Sequence, residues 1–155
     1  MNTRANNVNR ANNSRLNTTN NLVTLKPNAK PNAAGPDTPA NIVKFLFRLQ
    51  LATKLFHWQT RSFAAHKASG ELYDQISKLT DEIVEAYMGT YGNRVRLPGP
   101  TAITLTNMTA ASMRTLLRDG IKYLMQRMPA DSHIAALRDE LVDAMATAMY
   151  LLTMA

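Results

Sequence analysis

The fifteen residues "NRVRLPGPTAITLTN" at positions 93–107 constrain the fold more than any other stretch. Pro98, Gly99 and Pro100 break a helix there, and no helical period runs through the segment. On either side the period is plain. Upstream, Ile42, Leu46, Leu49, Ala52 and Phe56 recur at three- and four-residue spacings, with Val43, Phe45 and Leu55 beside them. Thr38 as N-cap and Pro39 in the first turn start that helix, which ends near Gln59. Leu72, Ile76, Leu79, Ile83 and Tyr87 mark a second helix, capped by Ser62 or Ser69 and ended by Gly89 or Gly92. Downstream, Met113, Leu116, Leu117, Ile121, Leu124 and Met128 mark a third, which Pro129 stops. Ile134, Leu137, Leu141, Met145, Met149 and Leu152 mark a fourth, capped by Asp131 or Ser132. Between the second and third, Ile103 to Leu105 fit a brief extended piece.

The links between these helices carry the topology. The first and last links are short, so each flanking pair is expected to form an antiparallel hairpin. The middle link spans up to roughly 50 Å when extended, whereas a helix of about 24 residues is about 36 Å long. It can therefore run the whole length of the bundle and bring the third helix in parallel to the second. Two hairpins joined by one long crossover describe an all-α, ferritin-like four-helix bundle over residues 38–155.

The N-terminal stretch is of another kind. Residues 1–40 hold 11 Asn, 4 of the 7 Pro and no aromatic residue. So little apolar surface cannot offset the entropy of ordering a chain, and residues 1–37 are expected to be a disordered, basic, Asn-rich tail. Arg4, Arg10, Arg15, Lys26 and Lys30 stand there against Asp37 alone, so the tail carries +4 of the formal net charge of +7. A concentrated basic arm suits a polyanion, nucleic acid foremost, and these five residues are the candidate DNA contacts. A solubilising tail or an anchor for a protein partner are the other readings. The chain has no Cys, so it builds neither a disulfide nor a thiolate metal site, which fits a reducing compartment. Its start lacks the apolar core of a secretory signal, and no run of apolar residues is long enough for a membrane span. We therefore expect a cytoplasmic or nucleoid-associated protein with no membrane partner.

Asp74, Asp81 and Glu85 are spaced seven and four apart on the second helix, within about 40° of one another at about 100° per residue. Leu79 and Ile83 flank this acidic stripe, while Lys78 and Glu82 make an ordinary i,i+4 pair. His57 and His66 precede it. Imidazole nitrogen and carboxylate oxygen suit a divalent metal such as iron. Taken alone, carboxylates on a helix are more often solvated than ligating. His133, near Asp131, reads as a surface residue, and the methionines of the last two helices read as core filling rather than copper ligands. No Glu-x-x-His pair, phosphate loop or nucleophile elbow occurs.

His57 followed directly by Trp58, then a second histidine, then "ELYDQISKLTDEIVE", resembles the Dps mini-ferritin family. In that family a His-Trp pair ends the first long helix, and an Asp and a Glu lie fifteen and nineteen residues beyond the second His. Asp81 and Glu85 stand at those distances from His66, and the "LYD" of this stretch also matches. The likeness is strong over residues 45–91 and limited to the helical pattern over 108–153. It implies a ferroxidase that holds iron through His57, His66, Asp81 and Glu85, with Trp58, Glu71 and Asp74 around them, and oxidises it with peroxide or O₂. It also implies assembly as two-fold dimers, up to a dodecameric cage, and non-specific DNA binding through the tail.

Three departures bear on this. The two histidines are nine apart, three fewer than usual in the family; Gly70 stands where an acid is expected; and the crossover is short for the family. Acids are also scarce for an iron-storing cavity. The Asn-rich tail, Gly70 and the short crossover favour a second reading, a virion or nucleoid structural protein that keeps the bundle without iron chemistry. The ending "YLLTM" is similar to that of proteins from large DNA viruses. A third reading is a nucleic-acid-binding module in which only the tail acts.

The same spacing speaks to assembly. Fifteen to nineteen residues of helix separate His66 from Asp81 and Glu85 by about 22–28 Å, or about 16–22 Å if the helix starts at Gly70. Ligands must come within about 2.0–2.2 Å of a metal, so one chain cannot bring both groups to one ion. A two-fold dimer of antiparallel hairpins can; otherwise the histidines and acids never meet.

Overall fold

The structure is a computed structural model that describes residues 35–154, which form four helices and no strand. They are α1 (Pro39–Gln59), α2 (Phe63–Tyr91), α3 (Ala110–Arg127) and α4 (Ser132–Leu151). Arg4, Arg10, Arg15, Lys26 and Lys30, and the expected tail up to residue 34, lie outside the described residues.

Local chemistry explains the boundaries. The Thr38 hydroxyl accepts from the Asn41 N–H at 3.3 Å, with Pro39 as the first helical residue. Ser62, rather than Ser69, caps α2 by accepting from the Ala65 N–H at 3.3 Å. The whole run from His66 to Glu85 is therefore one continuous helix. Gly92 ends α2 in the left-handed region, φ 67°, where a residue with a Cβ is disfavoured. A reciprocal capping box of Thr109 and Ser112 starts α3. Asp131, rather than Ser132, is the N-cap residue of α4, but its side chain makes no cap hydrogen bond; the carboxylate instead accepts from the Tyr91 hydroxyl. The extended piece expected at Ile103–Leu105 pairs with no other strand and remains part of the link.

Hydrogen bonds at the two ends show how the helices run. The Gln59 amide, at the end of α1, bonds Asn107 and the Met108 N–H, each at 2.8 Å, just ahead of α3. At the other end, the Asp37 N–H donates to the Arg127 carbonyl at 2.8 Å, and Thr90 and Tyr91 meet His133 and Asp131. The link after α2 therefore traverses the bundle lengthwise, and α3 runs parallel to α2. Each helix packs against two antiparallel neighbours, in the order α1, α2, α4, α3 and back to α1.

The core is built where the periodicity places it, from Leu46, Leu49 and Phe56 through Ile76, Leu79 and Ile83 to Leu117, Leu124, Ile134 and Leu141. Met113 and Met145 are fully buried in it, as core filling requires. A Cβ on buried Gly120 would come within 2.7 Å of the Met145 Cε and 3.3 Å of the Phe45 Cζ, so the absence of a side chain lets the helices close there.

Asp37 clasps the end of the bundle at which α1 begins. Its carboxylate accepts from the Thr38 N–H at 2.9 Å, the Asn41 amide at 2.8 Å and the Tyr123 hydroxyl at 3.0 Å, with Arg127 3.6 Å away. Burial alone would raise its pKa, but the hydrogen bonds from Asn41, Thr38 and Tyr123, with Arg127, outweigh that and hold it below the ordinary value. Burial, then the bond to Asp37, pushes the Tyr123 phenol up. No helix among the described residues is long and apolar enough to cross a membrane.

Candidate metal centre

The turn Thr60–Ser62 between α1 and α2 folds His57 and His66 onto each other. Their rings stack with centroids 3.8 Å apart and planes 25° off parallel. Each Nδ1 lies 2.9 Å from the backbone carbonyl oxygen of the other residue. A carbonyl only accepts, so both Nδ1 atoms carry hydrogen, and in the neutral rings both Nε2 atoms keep a free lone pair. Histidines that ligate metals are held in this way, with the second nitrogen donating to a carbonyl or carboxylate.

Two small residues one turn further along α2 make the stack possible. Buried Ser69 donates its hydroxyl to the Ala65 carbonyl at 2.7 Å, and its oxygen lies 3.4 Å from the His57 Nδ1. A Cβ on Gly70 would stand 3.2 Å from the His57 Cε1 and 3.4 Å from its Nδ1. The ring of His57 thus covers the position at which the family resemblance leads one to expect an acid. The sequence did carry a signal for this: a glycine inside a helix costs about 0.5–1 kcal/mol relative to alanine and calls for a reason.

The acids lie elsewhere. Glu71, Asp74, Asp81 and Glu85 are all exposed. Asp81 borders a groove lined by Phe47, Val84 and Leu97, whereas Glu85 borders a hollow beside Met88 and Arg94. Glu71 faces the groove between α2 and α4, with Glu140 and Asp143. Among the described residues no three His, Asp or Glu side chains gather closely enough to hold a metal ion. Along continuous α2, Asp81 and Glu85 are about 22–28 Å from His66.

A family model matches residues 57–152, more than half of the chain, and is described as a family of unknown function, DUF5856. The chain belongs to the DUF5856 family. No curated protein and no solved structure matches it. The DUF5856 match opens at His57 and takes in the histidine corner, the acidic stripe, the crossover and the last two helices, leaving out most of α1.

Within the DUF5856 segment, His133 is remote from the other histidines. It sits exposed at the opposite end of the bundle, its Nε2 2.6 Å from the Thr90 hydroxyl. Thr90 gives its own hydrogen to the Ala86 carbonyl, so His133 is the donor there. Lys78 meets Glu82 at 3.6 Å as its spacing suggests, and Glu140 at 3.8 Å as well. Trp58 is 71% exposed, with the Lys54 ammonium 5.7 Å from its ring. The corner brings together two imidazole nitrogen donors, with no carboxylate beside them among the described residues.

Proposed function

We propose that this is a Dps-like protein of ferritin fold that binds Fe²⁺ as substrate, lets it be oxidised by peroxide or O₂, and holds DNA non-specifically through its basic tail. The observation that carries this reading is the His57–His66 pair, in which both rings are fixed through Nδ1 and both Nε2 atoms are free for a metal. Imidazole nitrogen suits iron. His57 and His66 of one copy would supply the nitrogens, and Asp81 and Glu85 of a second copy the oxygens. Two ferrous ions give one electron each to a peroxide, which takes two protons and leaves as water. The protein's part is to hold the ions beside the oxidant.

The register of α1 against α2 supports this pairing. Gln50 bonds Ser77 at 2.8 Å, so Leu51 lies level with about Ile76. Phe47, Leu51 and Trp58 are exposed apolar residues at helical spacing along α1, with Leu51 between the other two. A two-fold axis at Leu51 carries His57, six residues above it, to about the level of Glu82 in the other copy, next to Asp81. His66, ten residues from Ile76 on α2, arrives beside Glu85. The test is complementation: co-refold a His57→Ala chain with an Asp81→Ala/Glu85→Ala chain and follow Fe²⁺ oxidation by peroxide. Mixed dimers hold one intact and one doubly dead site, so activity returns; no recovery in proven mixed dimers overturns the shared site.

The second reading is a virion or nucleoid component that keeps the bundle without iron chemistry. The solvated acids and the glycine under His57 favour it. Iron content measured alongside particle mass separates the two.

A further inference from the structure

We infer that the face of the bundle shared by α1 and α3 is a second nucleic-acid surface, which grips the phosphates of duplex DNA through Arg48, Arg118 and Lys122. It is separate from the tail and depends neither on the tail's binding nor on the iron chemistry proposed above. The charge of the bundle is sorted by layer. α1 holds Lys44, Arg48 and Lys54 and no acid, and α3 holds Arg114, Arg118, Lys122 and Arg127 against Asp119 alone. α2 has two bases against five acids, and α4 one base against three. Because α1 packs on α3 and α2 on α4, one side of the bundle is positive and the other negative.

Register gathers the cations. The Phe45 and Tyr123 rings stack with centroids 4.2 Å apart, so the antiparallel α1 and α3 are level there. Lys44 and Arg48 are thereby brought beside Lys122 and Arg118, with Arg114 one turn further on, all within about 15 Å along the bundle. All five are exposed, and among the described residues none of them makes an ion pair. Lys44 with Arg48, and Arg118 with both Arg114 and Lys122, are like-charged i,i+4 neighbours, which weaken a helix. Charges placed against stability and left without counter-ions suit a polyanion. Hydroxyls point to phosphate as that anion. Between the two helices lies a hollow of about 420 Å³ bordered by Arg48, Thr104, Thr106, Thr115 and Asp119, and the Arg118 guanidinium donates to the Thr115 hydroxyl at 3.1 Å. Guanidinium, ammonium and hydroxyl groups are the donors from which phosphate oxygens accept. A strand of the duplex carries one phosphate per about 3.4 Å, so about four pass along this face, enough for three contacts. Lys54 is not part of it: its ammonium lies 4.3 Å from the Tyr73 ring, toward α2.

The test is the salt dependence of binding to a duplex of random sequence, read by fluorescence anisotropy on the full chain. Arg118→Gln/Lys122→Gln should lower the slope of log affinity against log salt by about 1.8. Lys67→Gln/Lys78→Gln removes the same charge from α2 and should leave the slope unchanged, with helicity by circular dichroism intact in both. Changing Arg4, Arg10, Arg15, Lys26 and Lys30 together to Gln should leave a slope of about 2.7, which the α3 pair then reduces further. If that tail variant binds as the wild type does, the tail reading fails and this one stands. Equal slopes in the α2 and α3 pairs, or displacement of the duplex by poly-glutamate as readily as by unlabelled DNA, overturns the inference. A change in particle mass by light scattering with no change in slope assigns the face to another copy of the chain and overturns it as well.

Discussion

Replacing Gly70 with alanine sets two effects of similar size against each other. Gly70 has no positive φ, so its backbone accepts a side chain, and an alanine inside a helix gains about 0.5–1 kcal/mol over glycine. Against that, the new Cβ would stand 3.2 Å from the His57 Cε1 and 3.4 Å from its Nδ1, so the ring must shift by a few tenths of an ångström. The shift strains the 2.9 Å bond from the His57 Nδ1 to the His66 carbonyl, and losing such a bond costs about 0.5–1.5 kcal/mol net. Gly70→Ala should therefore show little net gain in urea unfolding. Gly89→Ala is the reference: its Cβ meets nothing within 4 Å, so it keeps the full propensity gain. The two variants should differ by about 0.5–1.5 kcal/mol. Long-range ¹H–¹⁵N spectra should show Nδ1–H on both rings in the wild type and a disturbed His57 in Gly70→Ala. Zn²⁺ affinity at the pair, by calorimetry, should fall about 10–100-fold, as for other losses of support behind a ligating histidine. If Gly70→Ala is stabilised as much as Gly89→Ala with His57 signals unchanged, the ring does not rest on that glycine.

Two further outcomes test other parts of the molecule. Deleting residues 1–36 should weaken duplex DNA binding at low salt; five phosphate contacts correspond to a slope of about 4–5 in log affinity per decade of salt, and the truncated chain should lose most of it. An unchanged slope would place the binding on the bundle or remove it. The Asp37 clasp should limit stability at both pH extremes. The pKa of Asp37 is lowered from 3.8, so its contribution is present above that value and lost as pH falls through the folded value. That of Tyr123 is raised from 10.0, so its contribution is present below that value and lost as pH rises through the folded value. Asp37→Ala should cost about 1–3 kcal/mol at neutral pH through the groups it leaves unpaired and flatten both limbs of the stability profile; denaturation across pH would show neither change if the clasp is immaterial.

The sequence by itself determined the parts whose causes are local. Ile76, Leu79 and Ile83 declare a buried face because a helix repeats every 3.6 residues whatever packs against it. Thr38-Pro39 and Pro129 mark ends because capping and ring closure act within one turn. Link lengths sufficed for the direction of α3, since chain reach is a covalent property. The choice between Ser62 and Ser69 as the cap of α2 was open in the sequence, because both residue types cap well and only the corner with α1 selects one. The stacking of His57 on His66 depends on that corner too, as no period or spacing rule encodes the angle at which a three-residue turn returns the chain. Gly70 reads in the sequence as a missing acid; in three dimensions it is the space the His57 ring occupies, and a side chain left out has meaning only once its neighbour is known. The acidic stripe shows the same limit from the other side. One turn of a helix aligns Asp81 with Glu85, but whether that face meets water or a partner is decided by what the rest of the chain, or a second copy of it, brings opposite.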